Sequence, residues 1–284
     1  MVRVPLSLVA AAALVLPALP ALAQQRPANP PEMAIAGPRY ADIASLALAA
    51  PIVADATIRS TSRLKPEEAP DLTPGTARLY VEADLGVLIR GTGALPPRIA
   101  YLLDVRLDDR GRAPKLKKAR MMLFARATSR PGQLQLVRID GQRDWTPALD
   151  AMTRRIVKQV LAPDAPPAIA GAGHVFYTPG DLPGNGETQI FLKTASEQPI
   201  SVSVTHTNGE RHWNVALSEV VGQATPPPAT DSLLWYRLAC GLPRTLPPAS
   251  TDGDDPANST VARDDYRYVL DALGPCEHPE SPPS

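Results

Sequence analysis

Among the side chains with acid, base or metal-binding chemistry in the stretch from His174 to Val221, Glu187, His206, His212 and Glu219 are the ones whose placement could build a site. Two carboxylates brought together by a sheet could divide general-acid and general-base work in a hydrolase. Two histidines flanking a tight turn could share a metal ion with a carboxylate such as Glu210 or Glu219. Both chemistries need convergence that sequence spacing does not dictate, and no HExxH-type spacing supports the metal. The four form a candidate binding set, with no catalytic residue, metal or cofactor assigned.

The remaining motifs have plainer readings. Ser62-Arg63-Leu64-Lys65 has the SxxK spacing of serine acyltransferases, but it trails a strand instead of opening a helix, and its companion motifs are missing. Asp252, Asp254 and Asp255 are acidic enough for calcium, yet Pro256 takes the next ligand position and no glutamate closes the loop. The run from Lys115 to Arg120 is the densest basic cluster. It reads as a solvated face, with an acidic partner or envelope lipid as the sharper alternative.

Phe176, Ile190, Leu192, Ile200, Val202, Val204, Trp213, Val215 and Leu217 alternate in blocks, with turns at Pro183–Gly186 and at Asn208-Gly209, the strongest hairpin dipeptide in the chain. A small antiparallel sheet is expected, followed by a helix over Ser232–Cys240 and a last helix from about Val261 to Leu273. Gly274-Pro275 stops that helix. Cys240 and Cys276 are the only cysteines, and an even pair in an exported chain reads as one disulfide joining the two helices.

The first half alternates more strongly. Ala77, Leu79, Val81, Ala83, Leu85, Val87 and Ile89 face one way in a single long strand, flanked by strands near Ile52–Ser60, Ile99–Leu107, Ala119–Ala125 and Leu134–Ile139. Tyr40–Ala50 reads as a short helix. Thr146 followed by Pro147 opens another, with Leu149, Met152 and Ile156 on its apolar stripe. Five strands with flanking helices give an α+β class with a five-stranded OB-like barrel, or a plain antiparallel sheet. The expected organisation is a signal peptide over 1–23 cleaved after Ala23, a disordered leader over 24–38, and an OB-like domain over 39–162. A proline- and glycine-rich linker over 163–173, a sheet-plus-two-helix domain over 174–276 and a tail over 277–284 complete it.

Arg3, an apolar run and Ala21-Leu22-Ala23 have the order of charge, core and small residues of a secretory signal. No later stretch has the apolar length of a membrane helix. The 29 basic and 29 acidic residues cancel, and aromatic residues make up 5%, which disfavours nucleic acid as a partner. Taken together, PKLKKAR, LPGNGETQIFLKT, LLWYRLACGLP and YVLDALGPC resemble a family of exported alphaproteobacterial proteins with no assigned activity. The resemblance implies export from a Gram-negative cell and no reaction. The expected function is binding of an envelope protein or peptide in the periplasm or outside the cell. The alternative is a periplasmic hydrolase near Glu187, His206 and Glu219.

Overall fold

The chain alternates in its first half because five of its strands close on one another. The computed structural model describes residues 38–91, 93–217 and 224–276. The expected signal peptide, nearly all of the leader, the tail and Glu219 lie outside the described residues. Helix α1 (Tyr40–Ala49) leads into β1 (Ile52–Arg63), β2 (Thr76–Arg90), β3 (Arg98–Arg106), β4 (Arg120–Ala127), β5 (Gln133–Leu136) and β6 (Gln142–Asp144). The order β1-β2-β3-β5-β4, with β4 returning to pair with β1, closes a five-stranded barrel, and β6 adds to β4. All pairs are antiparallel except β3 with β5, which run parallel over Ala100↔Gln133 and Tyr101↔Leu134. This is the strand order of an OB-like barrel within an α+β fold.

Closing so few strands requires β1 and β2 to bend, and bulges supply the bend. Register slips occur on β1 between Ala54 and Ala56 and between Ile58 and Ser60. Asp55 sits at the slip between Ala54 and Ala56, buried on the outer barrel face that it shares with its cross-strand partner Met122. Its Oδ1 accepts the Val87 amide at 3.2 Å, and its Oδ2 accepts Arg120 Nη2 at 2.7 Å. Gly86 is required opposite it, because a Cβ there would lie 1.9 Å from Asp55 Oδ1. Ile58, Leu79, Val81, Ile99, Tyr101, Leu103, Met121 and Leu123 fill the barrel.

Helix α2 (Pro147–Val160) begins as its residues dictate, with Thr146 Oγ1 accepting the Leu149 amide at 3.1 Å and Pro147 in the first turn. The second sheet runs β10-β9-β8-β7, from β7 (Ile169–Pro179), β8 (Gly186–Thr194), β9 (Ile200–Thr207) and β10 (Glu210–Ala216). Asn208 and Gly209, at φ 54° and 84°, make the turn between β9 and β10. Helices α3 (Leu233–Gly241) and α4 (Pro256–Leu273) complete the chain. One hydrophobic cluster joins α1, α2, the outward-facing Met122 and Phe124 of β4, the sheet's inner face, α3 and α4. Cys240 and Cys276 are bonded, with Cα atoms 5.0 Å apart.

Strand β7 starts at Ile169, inside the stretch read as linker. Gly171 at φ 148° and a bulge on either side of it let glycine occupy the strand. Gly173 permits close approach, since a Cβ there would sit 3.0 Å from the Phe191 carbonyl oxygen. Helix α4 likewise starts before Val261, because Asp255 caps it through the amides of Ala257 and Asn258 at 2.8 and 3.3 Å.

Candidate functional site

Strand alternation decides where the four expected site residues point. Thr188 pairs with Val204 and Gly186 with His206, so His206 lies on the inner face of the second sheet. Glu187 pairs with Thr205, which also pairs with His212, so Glu187 and His212 lie on the opposite face. Glu187 accepts from Gln189 Nε2 at 2.5 Å, while His212 is 68% exposed and 3.6 Å from Glu210. The sheet therefore separates Glu187 from His206. Among the described residues, no group of three or more His, Cys, Asp or Glu side chains is placed to hold a metal.

His206 meets Asp265 of α4 instead. This carboxylate is fully buried. Its Oδ2 lies 2.7 Å from His206 Nε2 and accepts Thr188 Oγ1 at 2.5 Å, while Arg211 Nε is 3.4 Å from Oδ1. A histidine oriented by a buried aspartate resembles part of a hydrolytic triad, but the geometry differs where it matters. The Thr188 hydroxyl shares the carboxylate with His206 and makes no hydrogen bond to its ring, and the ring's other neighbour is Tyr177, edge-on at 5.5 Å. The cluster ties β8, β9 and β10 to α4. Asp265 carries a legible signal: it sits among Ala262, Tyr266, Val269 and Leu273 on the helix's apolar stripe, where a charge demands buried partners.

The concave site lies on the barrel. Beyond Tyr101 no strand among the described residues pairs with β3 on its β5 side, because β5 turns to β4 through Ala127↔Leu134, Arg126↔Gln135 and Ala125↔Leu136. The two strands part in a V and leave a cleft of about 460 Å³. Tyr80, Leu102 and Gln135 lie along it, with Gln133 and Thr128 at one end and Ile139, 73% exposed, at the rim.

Its charges are held in pairs. Arg78 forks onto Asp104 at 2.7 and 2.8 Å, and this hydrogen bonding raises the guanidinium above its ordinary pKa. Arg138 forks onto Asp140 at 2.9 and 2.7 Å and donates to Ser45 Oγ, and its hydrogen bonds hold the Asp140 carboxyl below its usual value. Arg126 Nε donates to Gln135 Oε1 at 3.2 Å.

The Ala100 amide donates to the Gly132 carbonyl, so the even-numbered amides of β3 face the cleft and that of Asp104 lies beyond the last pair with β5. An exposed leucine, a tyrosine, amide side chains and an unpaired strand edge suit recognition. Among the described residues, no nucleophile with an adjacent base lines the cleft. None of the residues lining this cleft falls in His174–Val221, and its defining feature, a pairing that stops, leaves no motif in the sequence. No protein-family model matches the chain, and no curated protein matches it.

Proposed function

We propose that this is an exported, non-catalytic binding protein of the periplasm or cell exterior whose ligand is an extended polypeptide segment taken up in the β3–β5 cleft. One observation carries the reading: the parallel ladder ends after two residue pairs and leaves the far half of β3 with an open edge in a cleft. A strand laid there would gain main-chain hydrogen bonds from β3 and set alternate side chains against Leu102 and Tyr80. The cleft's volume falls in the range typical of ligand sites, about 300–1,000 Å³. Export is supported by the order of charge, apolar core and small residues ending at Ala23 and by the Cys240–Cys276 bond. The resemblance to an uncharacterised family of exported alphaproteobacterial proteins accords with this and implies no reaction.

The test is selection from a displayed random-peptide library on the wild type, with counter-selection on Leu102→Arg, which fills the cleft with a charged side chain. Enriched peptides should alternate apolar and polar residues and bind the wild type at least about 10-fold more tightly, the equivalent of roughly 1.4 kcal/mol. Failure to enrich, or equal binding to both proteins, refutes the reading. Sequencing the N-terminus of protein recovered from the periplasm or medium should give Gln24 first.

A further inference from the structure

The zero net charge conceals a separation. Residues 38–162 carry 21 basic against 13 acidic side chains, and residues 163–284 carry 6 against 15. The basic excess has a focus at one end of the barrel. The segment between β3 and β4 runs beside the second half of β1: the Lys118 amide donates to the Ile58 carbonyl, and Arg63 Nη1 reaches the Gly111 carbonyl at 3.4 Å. This sets Arg59 and Arg63 alongside Arg110, Lys115, Lys117 and Lys118. Arg59 is paired with Asp84 and Arg112 with Asp108, whereas Arg106, Arg110, Lys115, Lys117 and Lys118 make no ion pair among the described residues. The strip is ordered from beneath, because Ala113, Leu116 and Ala119 pack on the barrel core and leave the lysines outward.

We infer that this strip is a docking surface for an anionic phospholipid bilayer. A protein partner would need an apolar anchor for a buried hot spot, but the strip's apolar side chains face the barrel, and none of the large exposed hydrophobic residues lies in it. A single-stranded nucleic acid would need aromatic platforms, and no aromatic residue occurs between Arg106 and Arg120. A fluid anionic surface needs neither; it needs clustered cations and rewards an oriented charge separation. This reading is independent of the peptide cleft.

The purified protein is sedimented with vesicles of phosphatidylcholine alone and with added phosphatidylglycerol, at low and high salt. It should bind only the anionic vesicles and dissociate as salt rises. Joint replacement of Lys115→Gln, Lys117→Gln and Lys118→Gln should weaken binding about 100-fold, at roughly five-fold per cation. The same charge loss by Lys193→Gln, Arg244→Gln and Arg267→Gln should leave binding unchanged. Binding to neutral vesicles, no binding at all, equal effects of both triples, or tighter binding to duplex DNA than to anionic vesicles would overturn the inference.

Discussion

Replacing Asp265 with alanine should be among the most damaging single changes in this protein. Its carboxylate has no exposed surface and is shared by Thr188, His206 and Arg211. Truncation leaves the buried Thr188 hydroxyl and the His206 ring without their partner, at about 1–3 kcal/mol for each unsatisfied group. Arg211 is partly exposed and recovers solvation, so its loss adds little. The expected total is about 3–5 kcal/mol, in the range found on breaking buried charge pairs. With a urea slope of about 3 kcal/mol/M for a chain of this size, the midpoint should fall by about 1–1.7 M. The assay is urea unfolding followed by tryptophan fluorescence under oxidising conditions. Because His206→Ala removes the same contact from the other side, the double variant should lose less than the sum by about 1–3 kcal/mol. A midpoint within ~0.3 M of wild type, or strict additivity, would refute the view that this carboxylate ties α4 to the sheet.

Other perturbations have equally definite outcomes. Gly86→Ala should cost about 2–4 kcal/mol by forcing Asp55 off the Val87 amide and Arg120, readable as a fall in melting temperature. Removing the disulfide by Cys240→Ala with Cys276→Ala should cost about 4 kcal/mol in the loop-closure model, measured by the urea midpoint. Burial pushes the Tyr40 phenol up to about 12 and raises those of Tyr101 and Tyr266 as well. The unfolded chain therefore ionises first, and stability present below pH 10 is lost as pH rises towards 12. Absorbance titration should show these three phenols ionising only with unfolding. At the acid end the signs reverse. Hydrogen bonds from Arg138 and Arg154 hold Asp140 and Asp150 below the ordinary 3.8, so their contribution, present above that value, is lost as pH falls through the lower folded values. Arg138→Gln should flatten that acid limb.

Local chemistry was legible in the sequence wherever a short-range rule governs the backbone. The alternation from Ala77 to Ile89 marks β2, Asn208-Gly209 marks the turn before β10, and Thr146-Pro147 marks the start of α2. The OB-like strand order and the disulfide accord with the reading from pattern and cysteine pairing. What escaped depends on partners distant in the chain. Gly173 looks like a breaker until the backbone of Phe191 arrives beside it. Glu187 and His206 look like neighbours until the strand pleat puts them on opposite faces. Asp265 was readable as a charge on an apolar stripe, but its partners Thr188 and His206 lie 77 and 59 residues away. The cleft leaves no mark in any one segment, because it arises from β5 leaving β3 for β4.

The proposal that the open edge of β3 receives a strand is tested most directly by amide hydrogen exchange along that strand. Leu103 and Val105 direct their amides to β2, whereas the Asp104 amide faces the cleft. In the free protein the Asp104 amide should exchange much faster than its two neighbours, and a peptide selected on the wild type should slow it by at least about 100-fold while leaving the second sheet unchanged. Protection of Asp104 equal to that of Leu103 in the free protein, or slowing confined to β7–β10 when peptide is added, would contradict it.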